Sequence, residues 1–227
     1  MPIFVFTSPV LDSDDTAIAA APLPEADQIR LQGMETIKRR RDFVSGRMLA
    51  RQSLAMIYGE RALTWRIEPQ PSGALCVCGE HGSMPAISLS HSNGRVVCAV
   101  AETALLGIDI ERIQPRKSLK DLAVEVLHPY ELAEFQQLEA ESRLEFFYER
   151  WVLKEALGKA LGHGVNYPMR EVLINDDRLV ATPQPWTFDS GSWWFSHTLL
   201  DGEYSLGLAC QGCTDNSISI CRIEIRI

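Results

Sequence analysis

Between residues 34 and 58 the side chains Phe43, Val44, Met48, Leu49, Ser53, Leu54 and Ile57 fall on i, i+4 steps, and Gly59 follows them. That rhythm predicts a helix with one apolar face, stopped by the glycine. Its opposite face carries arginines. Residues 64 to 86 gather Pro, Gly and Cys without such a rhythm and read as loop-like. Two short strands follow, Ile87 to Ser90 and Arg95 to Ala101, joined by the turn Ser92, Asn93, Gly94. Leu105 to Glu111 reads as a further strand, closed off by Pro115. A helix is expected after His128 and Pro129, with Glu131 near its positive end. The longest helix is predicted over about 141 to 161; Leu144, Phe146, Phe147, Trp151, Val152, Leu153, Ala156, Leu157, Ala160 and Leu161 cover most of its circumference. A helix this apolar is a buried central element, and its few charges need a reason.

The pattern repeats once. Ile87 to His91, a turn and Val96 to Ala101 resemble Trp194 to His197, a turn and Tyr204 to Cys210. A long helix precedes each copy. Two α/β halves related by a pseudo-twofold axis are therefore expected, with a cleft between them. We place the first half at residues 1–108 and the second at 109–227.

Composition narrows the classes of partner. With 227 residues, 46% of them hydrophobic and 23% charged, the chain can bury a sizeable core and is neither fibrous nor disordered. Its net charge of -8 argues against broad nucleic-acid binding, so an anionic ligand needs a local basic pocket. Lys38, Arg39, Arg40 and Arg41 run together, with Arg47 and Arg51 following at helical spacing, and supply one. The N-terminal Met1 to Phe6 reads as a strand rather than a signal peptide, and no apolar run approaches the roughly 20 residues of a membrane span. A cytoplasmic location is the expectation. Of the six cysteines, Cys76 and Cys78 with His81, or Cys210 and Cys213, could ligate metal, but neither pair has paired knuckle spacing. Free thiols are expected instead.

Asp109 and Glu111 alternate with Ile108 and Ile110, so the two carboxylates share one strand face about 7 Å apart. They form either a solvated face or a site with a cation, a basic neighbour or a raised pKa. Glu155 and Lys159 lie one turn apart on the apolar helix, while Lys154 points about 100° away from Glu155. A third carboxylate brought to Asp109 and Glu111 makes an all-oxygen site of the kind Mg²⁺ prefers. His91, behind Ser90, is either structural or a phosphate ligand. Adjacent strand residues face opposite ways, so Ser90 and His91 do not form a nucleophile and base pair.

Four segments together resemble the 4′-phosphopantetheinyl transferases of the larger monomeric type that activates peptide and polyketide synthetases. They are Phe43 to Arg47 with Arg51; Ser88 to Ser92; Gly107 to Glu111; and Trp151 to Lys159 with Gly162 and Gly164. The resemblance implies an α+β fold of two similar halves with coenzyme A between them, acting as a monomer on an apo acyl or peptidyl carrier protein, with no nucleic-acid or membrane partner. It implies that Asp109, Glu111 and Glu155 hold Mg²⁺, and that Arg47, Arg51, Ser90, His91, Asp109, Lys154 and Lys159 contact coenzyme A. Glu155, Lys159 and Glu131 are the implied catalytic residues; Glu155 and Glu131 compete for the role of base toward the acceptor serine. Family members often carry a Gly-Lys-Pro triplet where this chain has Pro71 to Leu75. A non-catalytic module that binds coenzyme A or a carrier is the alternative from another class, and a zinc-stabilised interaction protein a further one.

Overall fold

The computed structural model describes residues 2–71, 73–79, 84–103, 105–163, 168–175, 178–181, 193–212 and 217–225. The chain runs β1 (Ile3–Pro9), α1 (Asp15–Ala19), α2 (Glu25–Gln32), α3 (Ile37–Tyr58), β2 (Arg66–Pro69), β3 (Leu75–Cys78), β4 (Ala86–Ser92), β5 (Arg95–Ala101) and β6 (Leu105–Arg112). It continues through α4 (Leu119–Val126), α5 (Pro129–Gln137), α6 (Ala140–Leu161), β7 (Leu173–Asn175), β8 (Arg178–Ala181), β9 (Trp193–Leu200), β10 (Tyr204–Gln211) and β11 (Ile218–Arg222).

Two sheets form the middle of the molecule, ordered β11-β1-β5-β4 and β6-β10-β9. They pack face to face through Ile3, Val5, Val97 and Ala99 of one and Ile108, Ile110, Leu206 and Leu208 of the other. Helix α3 covers the outer face of the first sheet, its Val44, Leu49 and Leu54 set among Phe6, Val96, Cys98 and Val100. Helix α6 covers the second, its Leu153, Ala156 and Leu157 set against Phe195 and Ala209. Each buried Val, Leu, Ile or Phe among them contributes about 1.5–3 kcal/mol by leaving water.

The expected repeat is present as β1-α3-β4-β5 followed by β6-α6-β9-β10, with both long helices 22 residues. Both hairpins turn on the same chemistry. Asn93 and Gly94 have φ of 41° and 86°, and Asp201 and Gly202 have 54° and 70°. Such primed turns need two left-handed residues, which Asn-Gly and Asp-Gly tolerate. A division after residue 108 would cut through β6, whose eight residues pair with β10 along their whole length. The chain crosses between the sheets ahead of Leu105.

Local signals explain the helix ends. Thr36 caps α3, accepting from Arg39 N at 3.3 Å, so the helix starts at Ile37 rather than at 34. Gly59 ends it with φ 68°. His128 and Glu131 form a capping box around Pro129 at the start of α5. The loop-like stretch before residue 86 instead contains the β2–β3 hairpin; of its side chains Ile67 and Val77 are buried in the core and Leu75 packs partly against it, too few to mark strands in the sequence. Cys76, Cys78, Cys98 and Cys221 are free thiols as expected, whereas Cys210 is disulfide-bonded. His81, Cys213 and Gly164 lie outside the described residues.

Candidate functional site

The cleft lies where β4, the edge of the first sheet, runs beside β6, the edge of the second. No backbone ladder joins these strands; three serines on one face of β4 do so. Ser88 Oγ accepts from Ile108 N at 3.1 Å, and Ser92 Oγ accepts from Arg112 N at 3.2 Å. Ser90 Oγ donates to Asp109 Oδ1 at 2.8 Å and Ser92 Oγ to Glu111 Oε2 at 2.8 Å. The i, i+2 spacing of Ser88, Ser90 and Ser92 aims all three hydroxyls at the seam.

Helix α6 reaches the same seam because two glycines let it lie on the sheet. A Cβ on Gly107 would fall 1.8 Å from the Ala156 carbonyl oxygen, and one on Gly207 would fall 2.6 Å from that of Val152. In that seat Lys159 Nζ stands 2.7 Å from Asp109 Oδ1 and 2.8 Å from Ser90 Oγ. Asp109 is 5% exposed, and its other oxygen, Oδ2, is buried without a hydrogen-bond partner.

Three carboxylates feel one another here. Burial pushes the Glu155 carboxyl up to about 7, with Asp109 and Glu111 adding to the rise and Lys159 opposing it. Burial likewise raises Glu111; Asp109 adds to it, while Ser92, Arg116 and Lys159 pull the other way. Burial lowers His91, helped by Lys159 and Lys38 and opposed by Asp42 and Asp109. Its ring Nδ1 is 3.7 Å from Asp42 Oδ2, which Lys38 also approaches at 3.1 Å. His91, Lys38 and Asp42 thus form the α3 side of the cleft, and Asp109, Glu111, Glu155 and Lys159 the other. A pocket of about 290 Å³ continues along the seam, lined by Gly73, Leu75, Ser88, Leu106, Lys159 and Gly162.

Other expected site residues stand apart from this cluster. Arg47 is 3% exposed, paired with Asp27 of α2 at 3.2 Å and stacked on the Phe43 ring. The charges that act on it are Asp27, Arg30 and Arg51. Lys154 is fully buried on another side of α6, where Nζ donates to Val126 O at 2.9 Å, Glu131 Oε2 at 2.5 Å and Met169 O at 3.1 Å. Burial pulls this ammonium below the usual lysine range, with Glu131 opposing. Glu131 Oε2 also accepts from His128 N at 2.9 Å, and the residue is 3% exposed. Neither member of this pair opens to the cleft, because each partners the other and the caps around it. In the basic run, Arg40 is tied to Asp15 and Arg41 to Asp12, while Lys38 pairs with Asp42, the carboxylate that His91 also approaches. Sequence reasoning missed Ser92, Asp42 and Asp27; only the alternation of Ser88, Ser90 and Ser92 could have flagged the first.

Among the described residues no three His, Cys, Asp or Glu side chains are assembled closely enough to hold a metal ion as they stand. The donor set still suits a hard cation. Three oxygen ligands converge electrostatically, carry mutual repulsion, and include an orphaned buried oxygen at Asp109. No helix among the described residues is long and apolar enough to cross a membrane.

The model of the 4′-phosphopantetheinyl transferase superfamily matches residues 105–209. The chain is similar to a putative 4′-phosphopantetheinyl transferase of Synechocystis sp., 27% identical over 144 residues, covering 62% of this chain and 56% of that one. It is 29% identical to the 4′-phosphopantetheinyl transferase HetI of Nostoc sp., covering 64% and 62% of the two chains. It is 31% identical to the 4′-phosphopantetheinyl transferase AcpT of Escherichia coli over 152 residues, covering 65% and 69%. The match thus spans less than two thirds of the length of the first two relatives.

Proposed function

The chain belongs to the 4′-phosphopantetheinyl transferase superfamily, and from that premise we propose that it moves the 4′-phosphopantetheine group of coenzyme A onto a serine of an apo carrier protein. The observation that carries this reading is the convergence of Asp109, Glu111 and Glu155 on Lys159 and Ser90 at the seam between the halves. A non-catalytic module has no use for three repelling acids beside a lysine.

In this reading the carrier serine oxygen bonds to the β-phosphorus of coenzyme A as the bond from that phosphorus to the bridging oxygen breaks. The bridging oxygen leaves with adenosine 3′,5′-bisphosphate. Lys159 and Ser90 grip the pyrophosphate, and Lys38 and His91 the 3′-phosphate from the α3 side. Asp109, Glu111 and Glu155 hold Mg²⁺, which when bound neutralises charge on the pyrophosphate. Glu155 is the better base of the two carboxylates. It is half-buried beside Asp109 and Glu111 at the seam, while Glu131 is shut away with Lys154. Glu155 would take the proton of the carrier serine as its oxygen attacks. Arg47 acts indirectly, by fixing α2 on α3 through Asp27.

Incubating the chain with coenzyme A, Mg²⁺ and a panel of apo carriers, followed by intact-mass analysis, tests this. A carrier should gain one phosphopantetheine as adenosine 3′,5′-bisphosphate accumulates. Tight coenzyme A binding with no modified carrier across the panel points to the binding module instead.

A further inference from the structure

Away from the cleft cluster, one pair of nucleophilic side chains has no part in the chemistry above. Cys76 and Cys78 lie two residues apart on β3, so they share a strand face, while Val77 between them turns into the core. Their sulfurs are 3.7 Å apart. Two thiolates bonded at about 2.3 Å to one tetrahedral ion stand about 3.8 Å apart. A disulfide needs its sulfurs at about 2.05 Å, and its usual Cα separation ends near the roughly 6.7 Å that two strand residues already span. The pair therefore has the spacing of a metal chelate and not of a bridge.

The partner strand adds to this. Across the hairpin Glu68 lies opposite Cys76, and Arg66 opposite Cys78. Arg66 Nε holds Glu68 Oε1 at 2.9 Å, which leaves Oε2 directed at Cys78 Sγ, 3.8 Å away. Sulfur and oxygen ligands of a tetrahedral zinc are about 3.6 Å apart, so a small rotation of Glu68 brings it into the set. The contact with Cys76, burial and Glu68 raise the Cys78 thiol, with Arg66 opposing.

We propose that the β2–β3 hairpin is a binding site for a soft d¹⁰ cation such as Zn²⁺, ligated by Cys76 and Cys78, with Glu68 Oε2 and water completing the tetrahedron. The two thiols give up two protons to solvent as two metal–sulfur bonds form, and no oxidant is needed. The ion ties β2 to β3 beside Gln70, Gly73, Ala74 and Leu75, which line the pocket along the seam, and so stiffens that wall. The sequence offered the two cysteines as metal ligands with His81, but not Glu68, because that donor comes from a neighbouring strand.

The test uses the metal-stripped full chain with the Cys210 disulfide left intact, titrated with Cd²⁺ and followed by its ultraviolet thiolate-to-metal charge-transfer band, with Zn²⁺ affinity measured against a chromogenic chelator. One ion per chain is expected. Cys76→Ser and Cys78→Ser, alone or together, should abolish the band with the circular dichroism spectrum unchanged, and Glu68→Gln should weaken Zn²⁺ binding about tenfold. Cys221→Ser should titrate like the unaltered chain. Absence of the band in the unaltered chain, or its persistence in folded chain lacking both cysteines, overturns the proposal. The readout is metal binding, so it stands or falls separately from transferase activity.

Discussion

Helix α6 carries two lysines five residues apart, and each is paired with a carboxylate, yet the two pairs are built to different ends. Lys154 and Glu131 have side chains 0% and 3% exposed, and every ammonium hydrogen of Lys154 has an acceptor. Lys159 and Asp109 are 30% and 7% exposed, with Lys159 open to the cleft and two further acids, Glu111 and Glu155, acting on the same site. The closed pair welds α4, α5 and the turn at Met169 to α6 through Lys154 and Glu131 Oε2, although Glu131 Oε1 is buried without a hydrogen-bond partner. An open pair among surplus carboxylates is poised to exchange partners, as a site for an anionic substrate and a cation requires. Direction on the helix decides which is which, since five residues turn the side chain by about 140°.

Variants can break this contrast. The largest effect is expected from Lys154→Met, which strands the Glu131 carboxylate and should cost about 3–5 kcal/mol in urea denaturation. Adding Glu131→Gln should restore most of it, because no buried charge is then left unpaired. Lys159→Ala should leave the denaturation midpoint nearly unmoved but slow transfer about 10²-fold, or about 2.7 kcal/mol of barrier, read by carrier mass against time. A stability loss as large as that of Lys154→Met would erase the distinction.

A smaller effect concerns pH. The folded Glu155 carboxyl titrates near 7, above its ordinary value of 4.5, so between these values the folded chain keeps a proton that the unfolded chain has lost. Its contribution is therefore fully present below pH 4.5 and is lost as pH rises through 7, by about 1–2 kcal/mol after solvent screening. Thermal denaturation of the metal-free chain should show this slope, and Glu155→Gln should flatten it. Smallest is Ser92→Ala, which removes one hydroxyl from the seam and should cost about 1 kcal/mol in the same assay.

The elements that position the site were legible because they are local. Apolar periodicity gave α3 and α6, the alternation of Asp109 and Glu111 with isoleucines gave β6, and the two Ser-His strands, each followed by a turn and an apolar strand, gave the repeat. What stayed hidden is long-range. Nothing near Arg47 in sequence shows that Asp27 of α2 covers it, so its place on a basic face looked like a phosphate contact. Lys154 carried a partial signal, since its angle away from Glu155 already set it on another side of the helix. The serine zipper of β4 left only the alternation of Ser88, Ser90 and Ser92 as a trace, because it depends on two sheet edges meeting without a ladder.

The central claim is that Asp109 belongs to the reacting site and not to the scaffold. It is tested most directly by the transfer rate of folded Asp109→Ala with coenzyme A, Mg²⁺ and an apo carrier modified by the unaltered chain. A rate about 10³-fold lower, with the circular dichroism spectrum and denaturation midpoint preserved, is the expected result. Modification at the unaltered chain's rate would contradict the account.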